Sequence, residues 1–291
     1  MLKKYNGLKQ NNYFKFNVFS QESDLRAVFE NLWDEDATRI LTLFSLNKLF
    51  DKFDFFDLGA NYGLYSLPFS KIDKVSTHLI VEPNPFLTTC LEQTFLGSKA
   101  QIISNAITVS SQQKNLLFNI QPFFSGGSTL KILPQYRPPL NTLQISVNSM
   151  SYPQMFDKYK VARNAIIKID IEGSEIDLLK DGFLDYLTKI YEDFIIMIEY
   201  IPEFYSKDDI NIFTSRLSNY YCIPLTNLNY RSESKYEGYE TDFFLNKNSI
   251  NRFYKTNYEK GIDWFVNDKR FLYSDIIVFS SEKLAKEAIS L

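Results

Sequence analysis

Asp57, Gly59 and Gly63 stand in the run Phe55-Phe56-Asp57-Leu58-Gly59-Ala60-Asn61-Tyr62-Gly63, where an apolar stretch meets a carboxylate and then two glycines. Ligands of open α/β sheets bind beyond the carboxyl ends of strands. Glycines at such an end let the backbone come close to a ligand and take positive φ. The spacing is DxGxxxG, with Asn61 in the middle and Leu64 where a dinucleotide cradle has its last glycine. A ligand with little need for a pyrophosphate site fits that pattern, and an ordinary tight strand–helix turn fits it as well.

Glu82 is a second candidate. It follows His78-Leu79-Ile80-Val81 and comes 19 residues after Gly63. A carboxylate at the tip of the second strand can accept hydrogen bonds from both hydroxyls of a ribose, and the spacing is near the ~20 residues of nucleoside-binding folds. Pro83-Asn84-Pro85 then turns the chain into a helix. The third candidate is Ala165-Ile-Ile-Lys-Ile-Asp-Ile-Glu-Gly-Ser-Glu175. Period two places Lys168, Asp170 and Glu172 on one face, with Ile167, Ile169 and Ile171 opposite. Three charges on an apolar strand are costly unless they pair or meet a ligand; a structural Lys–Asp pair is the plain alternative. Ile195-Ile-Met-Ile-Glu199 brings a further carboxylate to the same sheet edge. Neighbouring strands lie about 5 Å apart, so Asp170 and Glu199 could share a divalent cation, and hard oxygen ligands favour Mg2+ over zinc.

These groups need strands and helices to position them. Short runs rich in Ile, Val and Phe predict strands over Phe53–Leu58, Thr77–Glu82, Ala100–Ser104, Ala165–Ile171, Phe194–Glu199, Tyr220–Pro224 and Asp275–Phe279. Helical spacing falls between most of them, over Leu64–Phe69, Pro85–Phe95, Ser174–Leu187 and Asp208–Leu217. The alternation predicts an α/β fold with a mostly parallel sheet. Asn115–Ile120 and Thr142–Val147 break it as extra strands flanking a Gly126-Gly127-Ser128 loop. Residues 1–50 read as an N-terminal helical appendage. Ser20 is a candidate N-cap ahead of Leu25, Val28, Phe29, Leu32 and Trp33, and a second helix covers Ala37 to Phe50. Residues 51–291 form the main domain. Within it, 230–272 is a long polar-aromatic stretch that includes Tyr236, Phe243, Tyr254, Trp264 and Phe265. Loops of that length are usually functional lids or insertions, so it is a candidate lid.

Composition narrows the functions. The chain has 291 residues, net charge −3, 45% hydrophobic and 23% charged residues, which excludes disorder and argues against nucleic-acid binding. The longest apolar runs, such as Phe194–Ile198, are a fraction of the ~20 residues of a membrane span. No h-region follows Met1-Leu-Lys-Lys-Tyr-Asn, so no secretory signal is expected. Cys90 and Cys222 form no CxxC pair and suit a reducing cytoplasm. His78 is the one histidine; inside an apolar strand it reads as a packed residue, which leaves acid–base work to carboxylates or lysine. Phe and Tyr number 26 and 19, as an AT-rich genome or aromatic platforms for a ligand would each produce.

Taken in order, Asp57-Leu-Gly-Ala-Asn-Tyr-Gly63, Val81-Glu-Pro-Asn-Pro85, Asn105-Ala106, Gly126-Gly-Ser-Thr129, Lys168-Ile-Asp-Ile-Glu-Gly-Ser-Glu175 and Ile198-Glu199 resemble the FkbM family of S-adenosylmethionine-dependent methyltransferases. The resemblance covers roughly residues 53–200, with looser similarity beyond. It implies a class I methyltransferase (Rossmann-like) fold: a seven-stranded, mostly parallel sheet flanked by helices, its last strand antiparallel. The helical appendage precedes that sheet here, and the 230–272 stretch is a C-terminal insertion, the candidate acceptor lid because aromatic faces with polar rims suit sugar rings. The resemblance also implies O-methylation of a hydroxyl on a sugar, glycan or polyketide-type product. By it, Asp57, Gly59, Ala60, Asn61 and Gly63 would line the methionine part of S-adenosyl-L-methionine and Glu82 would hold the ribose. Asn84, Asn105 and Ala106 would border the adenosine, while Asp170, Glu172 and Glu199 would face the reacting centre. One departure is visible: Ser149-Met150-Ser151 stands where the family has Thr-Leu-Asp.

A sugar hydroxyl must lose its proton to attack a sulfonium methyl. The first expectation is Mg2+ held by Asp170 and Glu199, with Lys168 or Glu172 taking the proton. The second is metal-free base catalysis by Glu172 or Asp170. The expected acceptor is a surface-glycan sugar (capsule or lipopolysaccharide) or its nucleotide-activated precursor, met in the cytoplasm. A natural-product hydroxyl and a catalytically inactive nucleoside-binding module are the rivals. A nucleic-acid methyltransferase would show an Asp/Asn-Pro-Pro-aromatic segment, whereas Pro138-Pro139 follows Arg137 and lies elsewhere. The N-terminal helices could cover the cofactor mouth or make a homodimer contact.

Overall fold

The computed structural model describes residues 2–6, 17–21, 35–109, 115–121, 127–130, 142–202, 205–226, 259–266 and 274–291. The chain begins with β1 (Leu2–Asn6), β2 (Asn17–Gln21), α1 (Glu35–Ser45), β3 (Phe53–Leu58), α2 (Ser66–Phe69), β4 (Val75–Val81) and α3 (Pro85–Thr94). Then come β5 (Gln101–Ile103), β6 (Ala106–Thr108), β7 (Leu116–Ile120), β8 (Leu143–Val147), β9 (Ser149–Ser151) and α4 (Tyr152–Tyr159). The chain continues through β10 (Asn164–Ile169), α5 (Glu175–Lys180), α6 (Phe183–Ile190), β11 (Asp193–Tyr200) and α7 (Lys207–Leu217). It closes with β12 (Tyr221–Thr226), β13 (Glu259–Lys260), α8 (Asp263–Val266), β14 (Ser274–Phe279) and α9 (Glu282–Ser290).

The main sheet runs β5-β4-β3-β10-β11-β14-β12. Strands β3, β4, β5, β10 and β11 are mutually parallel, and β14 enters antiparallel between β11 and β12. This is the seven-stranded, mostly parallel sheet that the resemblance implies, to which two-residue β13 adds an eighth, antiparallel edge strand. The central strands read as near-continuous apolar runs because both faces are covered. Their odd and even residues feed separate cores. Phe56, Leu58, Ile167, Ile169, Ile196 and Ile198 pack with Phe156, Phe183 and Leu217 of α4, α6 and α7. Phe53, Phe55, Ile166, Ile195 and Met197 pack with Leu43 of α1 and Ala285 of α9.

Strand order reverses between β3 and β10: the chain leaves β3 for β4 on one side and returns to β10 on the other. A crevice opens at the carboxyl ends at such a point. Gly59, Glu82, Asp170 and Glu199 all stand at this end of the sheet, directly after β3, β4 and β10 and near the end of β11.

Two expectations change. Ser20 lies inside β2, paired with Lys3, because Asn17–Gln21 finds a strand partner in Leu2–Asn6; the helix expected after it falls outside the described residues. The single helix expected over Ser174–Leu187 breaks at Gly182, whose φ of +87° ends α5 and starts α6. Of the candidate lid, only 259–266 is described, and its aromatic side chains lie outside the description. The extra strands meet as an antiparallel β7–β8 hairpin, with Phe118 opposite Ile145. Among the described residues no helix is long and apolar enough to cross a membrane.

Candidate functional site

Past Leu58, the Gly59 and Ala60 amides both donate to the Val81 carbonyl at 3.0 Å, which ties the glycine turn to the end of β4. Asn61 follows with φ +51°, a left-handed conformation that Asn tolerates better than most residues. Its amide donates to Glu82 Oε2 at 2.8 Å, and the Asn84 amide donates to Oε1 at 2.9 Å. Glu82 is 5% exposed. Burial pushes its carboxyl up to about 7 against the pull of those two amides. Each oxygen accepts one amide and keeps a further lone pair for a ligand.

Asn84 is the N-cap of α3: its side chain accepts from the Phe86 amide at 3.1 Å. That is a structural duty alongside the adenosine contact expected of it. Asn105 is half-buried, and Ala106 is buried and opens β6, its amide bonded to the Asn148 carbonyl at 2.8 Å. Gly63 also has positive φ, with Phe95 and Leu91 side chains filling the space beside it.

On the other side of the crevice, Lys168 is 4% exposed. Its Nζ donates to the Gly59 carbonyl at 2.8 Å, lies 3.1 Å from Asp170 Oδ2 and 3.7 Å from Asp57 Oδ1, and sits 5.2 Å from the Tyr65 ring centre. Burial works against the ammonium, yet Asp170, Asp57 and Glu199 outweigh it and hold its pKa above the ordinary lysine value. Lys168 is therefore a fixed cation, and the expectation that it accepts a proton does not fit this geometry. Asp57 is fully buried, accepts from Ser66 Oγ at 2.7 Å, and has its carboxyl raised by burial against the pull of Lys168. It holds Lys168 and the turn from beneath.

Beyond β10, Glu172 adopts φ +53° and Gly173 φ +89°. Glu175, the first residue of α5, reaches back: Oε1 accepts the Ile171 amide at 2.7 Å, and Oε2 accepts the Tyr205 hydroxyl at 3.3 Å. Glu175 is fully buried, and that burial pushes its carboxyl to about 7. Burial, then the charges of Asp170 and other neighbouring carboxylates, raise Glu172 and Glu199 well above the usual carboxylate range. Glu199 lies opposite Asp275 in the β11–β14 register, and Arg39 Nε of α1 is 3.0 Å from Asp275 Oδ2.

One oxygen each of Asp170, Glu175 and Glu199 come within 4.8 Å of one another. The donors suit a hard cation. Their surroundings suit it less, since the buried Lys168 ammonium already neutralises Asp170 at 3.1 Å. Sequence reasoning did not single out Glu175, Tyr205 or Arg39 as site residues. Glu175 had a signal, standing three residues beyond Glu172 at a helix start; Arg39 and Tyr205 had none.

Two further expectations concern neighbours of the site. His78 is 3% exposed and edge-on to Phe55 and Phe95, and burial lowers its pKa to about 3. It is the packed residue expected. Ser151, standing at the departure from the family pattern, caps α4 in a reciprocal box with Gln154, so serine performs the capping there.

Comparison with protein families matches residues 57–220 to the Methyltransferase FkbM domain. No curated protein matches the chain. Among solved structures, precorrin-6y C5,15-methyltransferase from Geobacter metallireducens GS-15 is similar at TM-score 0.40 and 11% identity, over 84% of this chain and 88% of that one. Magnesium protoporphyrin IX methyltransferase from Synechocystis PCC 6803, with bound S-adenosylmethionine, is similar at TM-score 0.36 and 10% identity, over 94% of this chain and 87% of that one. Both likenesses are too weak to bear on activity or acceptor.

Proposed function

The chain belongs to the FkbM methyltransferase domain family, and from that premise we propose that it is an S-adenosyl-L-methionine-dependent O-methyltransferase acting on a sugar hydroxyl. The observation that carries the cofactor is Glu82, a buried carboxylate at the tip of β4 drawn to the glycine turn by the Asn61 amide. When bound, S-adenosylmethionine supplies an electrophilic methyl group on a sulfonium centre. Glu82 would accept from the ribose hydroxyls, and the turn from Gly59 to Gly63 would lie along the methionine part. Asp57 and Lys168 would keep that turn rigid, which matters because positioning supplies much of the rate in an in-line displacement. Glu172 would take the acceptor's proton: burial, then the charges of Asp170 and Glu175, raise its carboxyl above the usual range and make it a stronger base than a free carboxylate.

The acceptor is proposed from the family resemblance and the aromatic-rich 230–272 stretch: a capsule or lipopolysaccharide sugar, free or nucleotide-activated, in the cytoplasm. The test of the cofactor is calorimetric titration with S-adenosylhomocysteine. Saturable binding is expected, and Glu82→Ala should weaken it at least tenfold, about 1.4 kcal/mol. No binding to a folded sample would overturn the methyltransferase reading and favour an inactive module.

The approach of the Asp170, Glu175 and Glu199 oxygens favours a second route. There Asp170 and Glu199 would hold Mg2+, which lowers the pKa of a bound hydroxyl. Lys168 makes the metal-free route our choice. Titrating the protein with MgCl2 should then give no saturable heat at millimolar concentrations; a stoichiometric isotherm abolished by Asp170→Asn would select the metal route.

A further inference from the structure

We propose that Thr129 is a positioning residue: it fixes the backbone of Glu172 and so couples the β7–β8 hairpin to the proton-accepting carboxylate. The inference rests on the role proposed above for Glu172. Gly127–Leu130 runs back along β7, and Asn119 and Thr129 exchange both backbone hydrogen bonds, at 2.9 and 3.0 Å. Asn119 Nδ2 donates again to the Thr129 carbonyl at 3.1 Å, while Gln144 Nε2 of β8 holds Asn119 Oδ1 at 2.9 Å. Gln121 fixes the start of the segment, its Nε2 donating to the Gly127 carbonyl at 2.9 Å and its amide to Ser128 Oγ at 3.1 Å. Asn119 and Ser128 are each 8% exposed, so the centre of this backing is sheltered from water, while Gln121 and Gly127 are half-buried and Gln144 is exposed at its edge. From it, Thr129 Oγ1 donates to the Glu172 carbonyl at 2.7 Å across 43 residues of sequence.

Glu172 needs such a hold. A non-glycine residue at φ +53° sits in a sparsely populated region and persists only where its surroundings over-determine it. Two bonds do so here. Glu175 grips the Ile171 amide before Glu172, and Thr129 grips the carbonyl after its Cα. Loss of the hydroxyl frees the second grip, and the loop relaxes toward ordinary φ with the carboxylate displaced from Asp170 and Glu175.

The test uses the full chain and needs no acceptor. Thr129→Val removes the hydroxyl at nearly constant shape, and Thr129→Ser keeps it. Amide exchange at residues 171–174 is expected to quicken at least tenfold in Thr129→Val, with a displaced 13Cα resonance for Glu172. Thr129→Ser should restore both, and the urea midpoint should stay close to wild type in each. Wild-type exchange and an unmoved Glu172 resonance in the valine variant would overturn the proposal. So would a serine variant as perturbed as valine, because a packing role alone gives that result. If the valine variant fails to fold, Thr129→Ala makes the same deletion without a methyl facing the carbonyl. Titration with S-adenosylhomocysteine on the same samples separates the two readings: a lost cofactor leaves the backbone result standing, and intact binding with an unmoved loop removes Thr129 alone.

Discussion

Gly59→Ala is expected to destabilise the protein by about 3–5 kcal/mol, while Gly97→Ala costs about 1–2. Both glycines have strongly positive φ, +75° and +81°, so both substitutions carry the left-handed penalty of an L-residue. They differ in what the new methyl meets. At Gly97 nothing lies within 4 Å of an added Cβ, whereas at Gly59 it would stand 1.8 Å from the Asp170 carbonyl oxygen. That oxygen cannot yield cheaply. The Asp170 amide bonds to the Leu58 carbonyl at 3.0 Å, and Lys168 bonds to the Gly59 carbonyl at 2.8 Å, so displacement opens the β3–β10 seam and leaves Asp57 and Lys168 mispaired in a buried place. Urea denaturation of the two variants beside wild type makes the measurement. Equal costs would mean that the turn and the acidic strand end are not in contact as described.

Between pH 6.5 and 8 the protein should lose stability as pH rises. Burial holds Glu82 and Glu175 at about 7 in the fold, against an ordinary value of 4.5. In the window between those values the folded state keeps protons that the unfolded chain has released, so the slope of stability with pH is negative. The loss begins near 4.5 and is complete a little above 7. At ~1.4 kcal/mol per unit, each group contributes at most about 3 kcal/mol, less where neighbouring carboxylates titrate together. His78 acts in the opposite sense, because burial keeps it neutral down to about 3 and its share of stability grows only up to about pH 6.5. One histidine is outnumbered by two glutamates, and above 6.5 it is silent. The midpoint of thermal unfolding should fall from pH 6.5 to 8, and Glu82→Gln or Glu175→Gln should each flatten that fall. A midpoint that rises with pH over the interval would show these carboxyls ionised and stabilising in the fold.

Much of the architecture was legible because its signals are local. Phe53–Leu58, Phe194–Glu199 and Asp275–Phe279 read as strands from their own apolar runs, and the observed β3, β11 and β14 follow them within a residue. The helix break was missed although Gly182 marked it, since apolar spacing runs on past the turn. The candidate site was legible as far as strand ends determine it: Glu82 and Asp170 had to stand at one edge once their strands were parallel.

Pairing and charge were another matter. Period two placed Lys168 and Asp170 on one face, but only the 2.8 Å bond to Gly59 and the 3.1 Å pair with Asp170 make Lys168 a fixed cation. Glu175 became a clamp through Tyr205, Asp275 acquired Arg39, and Glu172 acquired Thr129, each across tens of residues. Propensity and periodicity act over a few neighbours along the chain, so sequence determined the strands, the glycine turn and the carboxylates at their tips. Protonation and hold depend on distance and burial through space, and the tertiary structure alone decided those.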